Sequence, residues 1–558
     1  MSDAVQQGVE MKYFKNKIVE SINDVLETEA SIKDIEDSEG ERGDFSFPAM
    51  KVASEKGGNP REIAEKLKEE IELGFLEKIE VAGPGFVNFF VKKDLFAEKI
   101  VETLSKERMG LKERKGKALV EFSSPNVAKP MHIGHFRNNV LGDSIQRMLD
   151  FVGYDVVSEN YIGDWGTQYG KLVYAFKEYG SKEEFEKNPM EHLYNLYVEF
   201  HEKMETDDRL LEKGREWANK IENKEEEAFR LWKLFREVSI DYHKKDYHRM
   251  GIKFDRWTGE SKILDETKEI LEEGLQKGVI KKDPDGSLFV EFGEEMPATV
   301  LKKSDGTTLY LSRDMANLKK RKEDEDFDLN LYVVASEQDL HFKQLFNICD
   351  MMGIDIEGCE HISYGLLNLK EGSMSSRSGN IVRVSELIDK AVEKAKERIE
   401  SVELKKNADK IGIGALKYAN LCVTKQKDIV FNWDDVLTFE GDSGPYLQYS
   451  NTRAKSIIKK TDSKGEFIGE FSDTEFSFLK KLSRFPEMIE NAVDSREPAK
   501  IANYLSELCE IFNSFYHKCP VLKADEDTMK RRLKIVELFE SVSSVGMGLL
   551  GIDCLEEM

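Results

Sequence analysis

The sequence predicts a multidomain α/β protein in which a parallel sheet carries the chemistry, a small α+β unit precedes it and an all-helical unit follows. Three observations predict this. A strand, a loop, an amphipathic helix and a second strand follow one another within about 40 residues from Ala118, which is the βαβ unit of a parallel sheet. Two strand-like runs flank Gly83-Pro84-Gly85 ahead of it, and from Leu387 onward the apolar spacing is helical. The 558 residues, at roughly 100–200 per domain, make three or four domains.

Residues 1–112 are the first unit. Arg61 to Leu73 reads as helix, and Lys78 to Val91 as a hairpin turning at the Gly-Pro-Gly. The second unit spans 113–385. Its first strand is the apolar run Ala118–Phe122, followed by a Pro-containing loop. His135 to Leu149 then carries Leu141, Ile145 and Met148 at helical spacing, and Tyr154–Ser158 is the next strand. From 181 to 230 there are 9 basic and 15 acidic residues, against 8 and 8 in 113–178. That shift marks a solvated helical insertion, expected over about 180–300. Leu331–Ala335 and Ile362–Leu369 resume the strands and complete the sheet. Residues 386–558 are the helical unit, where Ile501, Leu505, Leu508, Phe512 and Phe515 form a stripe that ends before Pro520.

Composition excludes several classes. With 83 basic and 107 acidic residues the net charge is −24, so no global positive field draws in polyanions or anionic membranes indiscriminately. The longest uncharged apolar stretch, Ser541–Ile552, falls short of the roughly 20 residues a membrane helix needs. Met1–Tyr13 has no apolar signal core, and a soluble cytoplasmic protein is expected. Six cysteines (Cys349, Cys359, Cys422, Cys509, Cys519, Cys554) form no C-x-x-C pair and no zinc spacing, so reduced core thiols and no structural metal are expected. Nothing marks a large apolar self-association face, and a monomer is expected.

The most informative segment runs from Glu121 to His135 and reads Glu-Phe-Ser-Ser-Pro-Asn-Val-Ala-Lys-Pro-Met-His-Ile-Gly-His. It lies between the first strand and its helix. Ligands of parallel sheets bind at the carboxyl ends of strands, and a helix N-terminus offers free N–H groups and a positive dipole end to anions. His132 and His135 face one side of the first turn, Gly134 lets a flat or phosphorylated ligand approach the backbone, and Lys129 adds a point charge. Together they make a triphosphate site without a Walker A sequence; the nearest such string, Gly166 to Leu172, has the wrong glycine spacing. By spacing alone, metal binding or simple helix capping fits the two histidines as well as any sharper role.

The flanks decide between these. His132-Ile-Gly-His135 resembles the first signature of class I aminoacyl-tRNA synthetases. Ser124–His135 and Asn160–Leu172 resemble arginyl-tRNA synthetases in particular, as do Thr308–Asp314, Ser336–Phe342 and Phe439–Tyr449, and the likeness runs from about Gly43 to Met558. The second class signature is present only as Ser373-Met374-Ser375-Ser376-Arg377-Ser378, with serine where its first lysine belongs. Members of the family that lack this lysine carry one just upstream of the first signature, where Lys129 stands.

The resemblance implies a class I Rossmann-like catalytic domain with a helical insertion, an N-terminal module that meets the outer corner of tRNA, and an all-α anticodon-binding domain. It implies activation of L-arginine by ATP, with Mg2+, to arginyl-adenylate, and transfer to the 3′-terminal adenosine of tRNA(Arg). Catalysis then falls to His132, His135, Lys129 and Arg377. ATP falls to Pro125, Asn126, Lys129, His132, Gly134, His135, Gln338, Met374 and Ser375. Arginine falls to Glu121, Asn126, His132, Tyr310, Asp314 and Gln338. A guanidinium offers five donors in a rigid fork and no lone pair, so its site needs carboxylates; Glu121 and Asp314 are those acids.

The tRNA is implied to meet Asn88, Phe90, Tyr446, Tyr449, Arg453 and Met558. The spacing of Tyr446, Tyr449 and Arg453 puts two rings and a guanidinium on one helix face, which suits unstacked bases but by itself fits a stripe in a helical core better. Lys319-Lys-Arg-Lys322 is either a phosphate contact or a solvated helix end. His243 and His248 lie on different helix faces and read as packing or surface residues. Two rivals remain: a tRNA-binding protein that has lost activation, motivated by the altered second signature, and a sister class I enzyme for another amino acid.

Overall fold

The computed structural model describes residues 10–38, 42–294, 296–369, 382–431 and 441–558. Met374, Ser375 and Arg377 lie outside these residues. The chain begins with a four-stranded antiparallel sheet in the order β1-β2-β4-β3, formed by β1 (Glu36–Asp37), β2 (Phe45–Pro48), β3 (Leu76–Ala82) and β4 (Phe86–Val91). The expected hairpin is the β3–β4 turn. Gly85 there has φ +133°, and a Cβ on it would stand 2.9 Å from Pro60, so the turn requires glycine. The helix expected from Arg61 is Pro60–Glu70, started by Asn59, whose side chain accepts from Arg61 N at 3.0 Å. Phe45, Phe47, Val87 and Phe89 build the core with Phe14, Ile18 and Phe96.

The catalytic unit is centred on β5 (Lys117–Glu121), β6 (Asp155–Ile162) and β7 (Arg256–Gly259). A separate three-stranded sheet follows, of β8 (Lys281–Lys282), β9 (Leu288–Val290) and β10 (Thr299–Lys302), after which β11 (Leu329–Ala335) and β12 (Cys359–Tyr364) return to the main sheet. All its pairs are parallel, in the order β12-β11-β5-β6-β7. The chain runs outward from β5 to β7 and then lays β11 on the other side of β5, so the order reverses between β5 and β11. That switch point opens a crevice at the strands' carboxyl ends.

Three sequence expectations need correction here. The insertion is not continuous over 180–300, because β7 returns to the sheet within it. Its helices, Lys182–Lys187, Pro189–Met204, Arg209–Glu222 and Glu226–Met250, are not merely solvated; Leu193, Leu196, Phe200, Trp232 and Phe235 make a core of their own with Leu172 and Val173. The run Ile362–Leu369 is two strands, β12 and β13 (Leu367–Leu369). β13 pairs with β14 (Ile429–Phe431), so the region after 386 is not wholly helical.

Five long helices, Gly444–Lys459, Asp473–Ser483, Phe485–Ser495, Ala499–Lys518 and Glu526–Leu549, make the C-terminal bundle. Ile501, Leu505, Leu508, Phe512 and Phe515 are all buried, and the rings of Phe512 and Phe539 stack with centroids 4.0 Å apart. The bundle holds the N-terminal unit through a buried ion pair, Lys480 to Asp44 at 3.2 Å, and through Phe476 against Phe96. All six cysteines are free thiols, buried or half-buried. No helix among the described residues is long and apolar enough to cross a membrane.

Candidate active site and RNA-facing surfaces

The loop from Phe122 to Met131 leaves β5 at the switch point in an unusual conformation: Ser123, Ser124 and Ala128 have φ of 78°, 49° and 61°. None is glycine, so each is costly and must be held by its surroundings. Ser123 N donates to Asn138 Oδ1, and its hydroxyl lies 2.5 Å from the Tyr247 hydroxyl. Ala128 N donates to Ser239 Oγ at 2.9 Å. Asn126 forms a parallel bridge with Gly163, which ties the loop to the segment after β6. A Cβ on Gly163 would lie 2.5 Å from Asn126 Oδ1, so the bridge depends on glycine. Pro125 is buried beneath it. Ser239 and Tyr247 both belong to the Glu226–Met250 helix of the insertion, as does the buried His243, whereas His248 is exposed.

The Ile133–Phe151 helix begins with His132 as its cap. Its first-turn N–H groups are not free for an anion, contrary to the sequence expectation. Ile133 N donates to Val382 O, Gly134 N to His132 Nδ1 at 3.1 Å, and His135 N and Phe136 N to His132 O. His132 N in turn donates to His135 Nδ1 at 3.2 Å. Because backbone N–H groups claim both Nδ1 atoms, each neutral ring carries its proton on Nε2. Burial and then Lys129 push His132 below the ordinary histidine value. Burial, with His132, His243 and Lys129, pushes His135 well below it. Each ring therefore keeps an Nε2–H donor, and Lys129 stands in the same loop. Gly134 seats the His132 ring, since a Cβ there would lie 3.0 Å from His132 Cε1.

An acidic cluster lies at the same carboxyl end of β5 from which the histidine loop departs. Glu121, at the end of β5, is 7% exposed. It is not an empty acceptor, because Arg321 Nη2 donates to its Oε2 at 2.5 Å and lies 3.1 Å from Glu159 on β6. Burial pushes Glu121 up to about 7 against the pull of Arg321, with Glu159 adding to the rise. Tyr310, Asp314 and Arg321 lie along the Tyr310–Glu325 helix. Asp314 pairs with His341 Nε2 at 2.7 Å, and Tyr310 is 53% exposed with Arg313 over its ring. Gln338 is exposed in the turn after β11, on the opposite lip of the crevice.

Sequence reasoning missed three members of this cluster. Glu260 is 4% exposed, and burial pushes it up to about 8 although Arg313 stands 3.5 Å away. Tyr161 is buried on β6, and its hydroxyl has no hydrogen-bond partner among the described residues. Burial, then Asp314, Glu260 and Glu121, push that phenol well above its ordinary value. Arg321 was hidden inside the basic cluster, which is no phosphate site: Lys319 pairs with Glu273, Lys320 with Glu266, Arg321 with Glu121, and Lys322 with Asp355. Tyr161 lies in the Asn160–Leu172 stretch that resembles the family; Glu260 carries no sequence signal, since only the β6–β7 pairing brings it here.

The RNA-facing candidates fall into two groups. Asn88 is 3% exposed and accepts from Ser46 Oγ at 2.8 Å, so it is a sheet residue and not a free base reader; Phe90, next but one on β4, is half-exposed. On the Gly444–Lys459 helix, Tyr449 is 38% exposed, so the aromatic face is not a core stripe. Arg453 Nη2 donates to Tyr449 OH at 2.5 Å, and its guanidinium lies over the rings of Tyr449 and Tyr516. Asn513 donates to Tyr446 OH at 2.9 Å. The chain end packs beside the same helix through Glu556 to Lys455 at 2.9 Å, leaving Met558 half-buried.

Comparison with known proteins agrees along the whole chain. Residues 99–433 match the model of the class I (R) tRNA synthetase catalytic domain, 447–558 the DALR anticodon binding domain, and 12–91 the arginyl tRNA synthetase N-terminal domain. The chain is 38% identical to an arginine–tRNA ligase of Halothermothrix orenii, over 98% of this chain and 100% of that one. It is 37% identical to one of Clostridium acetobutylicum over the same shares. The fold superimposes on arginyl-tRNA synthetases from Plasmodium falciparum (TM-score 0.81, 24% identity, all of both chains) and Thermus thermophilus (TM-score 0.78, 23% identity, 98% and 100%). With a parallel sheet, an intact His132–His135 signature and all three domain models in register, the chain belongs to the arginyl-tRNA synthetase family.

Proposed function

We infer that the chain joins L-arginine to tRNA(Arg) in two steps. The arginine carboxylate attacks the α-phosphorus of ATP, the bond to pyrophosphate breaks, and arginyl-adenylate forms. The 2′-hydroxyl of the 3′-terminal adenosine of tRNA then attacks the carbonyl carbon and displaces AMP. The observation that carries this is that an acidic cluster and a pair of neutral imidazole donors both belong to the carboxyl end of β5, at the switch point. Asp314 and Glu121, the latter shared with Arg321, accept the guanidinium beneath Tyr310, while Asn126 and Gln338 take the amino acid's other end. Glu260 and Glu159 add negative field.

The Nε2–H groups of His132 and His135 donate to phosphate oxygens as charge grows there, and removing one such donor costs about 3 kcal/mol in barrier. Lys129, with Arg377, offsets the charge on the departing pyrophosphate. Pro125 and Gly134 shape the nucleotide wall, and the family resemblance adds Met374 and Ser375 to the residues that meet ATP. ATP enters as its magnesium complex, the metal held mainly by phosphate and water. Phe90 and the Tyr446, Tyr449, Arg453 and Met558 surface meet tRNA, Asn88 bracing the strand behind Phe90. The protein works as a cytoplasmic monomer. Arginine/ATP–pyrophosphate exchange with tRNA(Arg) present tests the reading: exchange is expected to need both arginine and tRNA, and none from pure protein would refute it.

A further inference from the structure

The Pro189–Met204 helix of the insertion reaches the signature loop at two points that no role assigned above uses. Tyr197 presents its ring to Lys129, with Nζ 4.2 Å from the ring centroid. One and two turns earlier on the same helix, Tyr194 and Glu191 hold Arg383. Glu191 accepts from its Nη1 at 2.6 Å and its Nη2 at 3.1 Å, and the guanidinium lies 5.6 Å from the Tyr194 ring. Arg383 is the backbone partner of His132 in an antiparallel bridge, and Val384 N donates to Met131 O at 2.9 Å. Residues spaced by three share a helix face, so one face grips both the lysine and the strand that braces the first histidine.

Lys129 needs such a hold. Its stem is long and flexible, and no ion pair to it occurs among the described residues. A like charge lies nearby: burial, Arg215 and Lys129 push Lys171 down. A carboxylate partner would fix the ammonium but cancel the charge that phosphate must meet. An aromatic face attracts a cation through its quadrupole and leaves the charge whole. We propose that Tyr197 is a positioning residue for Lys129, its ring holding the ammonium at the mouth of the nucleotide site with its charge intact.

The proposal deepens, and rests on, the reading of Lys129 as the phosphate-facing cation. Its test is tRNA-dependent pyrophosphate exchange by the full chain carrying Y197L, Y197F, K129A or K129A with Y197L. Y197L is expected to lower kcat about tenfold, the scale of a partly desolvated cation–π contact, with the KM for arginine unchanged. Y197F, which returns the ring without the hydroxyl, recovers the lost rate, and Y197L causes no further loss when Lys129 is already alanine. An equal loss in both backgrounds, or a Y197F as poor as Y197L, would show a scaffold role and overturn the proposal. A K129A chain that exchanges like the parent overturns the lysine reading and the proposal with it.

Discussion

Ser123, Ser124 and Ala128 occupy left-handed backbone within six residues, at roughly 1–3 kcal/mol each, and no propensity scale announces this. The loop's composition was legible; its conformation was not, because Tyr247 and Ser239, which hold it, lie more than 100 residues away. The tautomers of His132 and His135 were likewise unreadable, since they follow from which backbone N–H each Nδ1 accepts. Glu121 and Glu260 carry a pH prediction. Burial raises both above the ordinary 4.5, to about 7 and about 8. A carboxyl with a raised folded value stabilises the fold fully below 4.5, and that contribution is lost as pH climbs through 7 and 8. Arginine binding runs the other way, because the guanidinium needs the ionised acids. The KM for arginine should fall as pH rises from about 6 to 8, by up to about tenfold per unit for each proton lost, and E260Q should flatten the limb above 7. A KM independent of pH over that range would contradict the carboxylate assignment.

At the scale of elements, the Ile133–Phe151 helix crosses the end of β5 closely enough that a Cβ on Gly142 would stand 2.2 Å from Phe122 Cγ. That contact sets how closely the helix packs on the strand end, and it fixes a second prediction. G142A should destabilise the chain by about 2 kcal/mol through overpacking, read as a lower thermal midpoint, and an unchanged midpoint would contradict the close crossing. Elements with strong periodicity were legible: the β3–β4 hairpin, the signature helix and the Ile501–Phe515 stripe. β7 and β14 were not, because strands of 4 and 3 residues are too short to show alternation and are defined by their partners. The same holds for Arg321, which looks like part of a solvated basic run until the fold places it between Glu121 and Glu159.

At the scale of the molecule, the candidate RNA surfaces lie in units that are themselves acidic, −7 over 1–112 and −4 over 441–558, so binding there rests on local groups. Net charge is zero over 113–178 and −6 over 181–230, while the C-terminal bundle offers Arg453 among Tyr446, Tyr449 and Tyr516. Recognition by stacking and a few cations needs no global positive field. Non-specific RNA should therefore bind weakly and tRNA(Arg) well, with a shallow salt dependence for a partner of that size. Competition of labelled tRNA(Arg) by poly(A) at several salt concentrations checks this, and equal affinities would contradict it. The three-unit organisation was legible because each unit has its own periodicity; the way the bundle grips the N-terminal unit through Asp44 and Lys480 was not.

The central claim is that an acidic pocket at the β5–β11 switch point selects a guanidinium and presents its carboxylate to ATP. Citrulline has the shape of arginine without the positive charge. Pyrophosphate exchange with tRNA(Arg), run in parallel with arginine and with citrulline, should proceed with arginine and fall by at least a thousandfold with citrulline, on the scale by which polar sites reject analogues that leave buried groups unpaired. Exchange with citrulline at a rate comparable to that with arginine would contradict the claim.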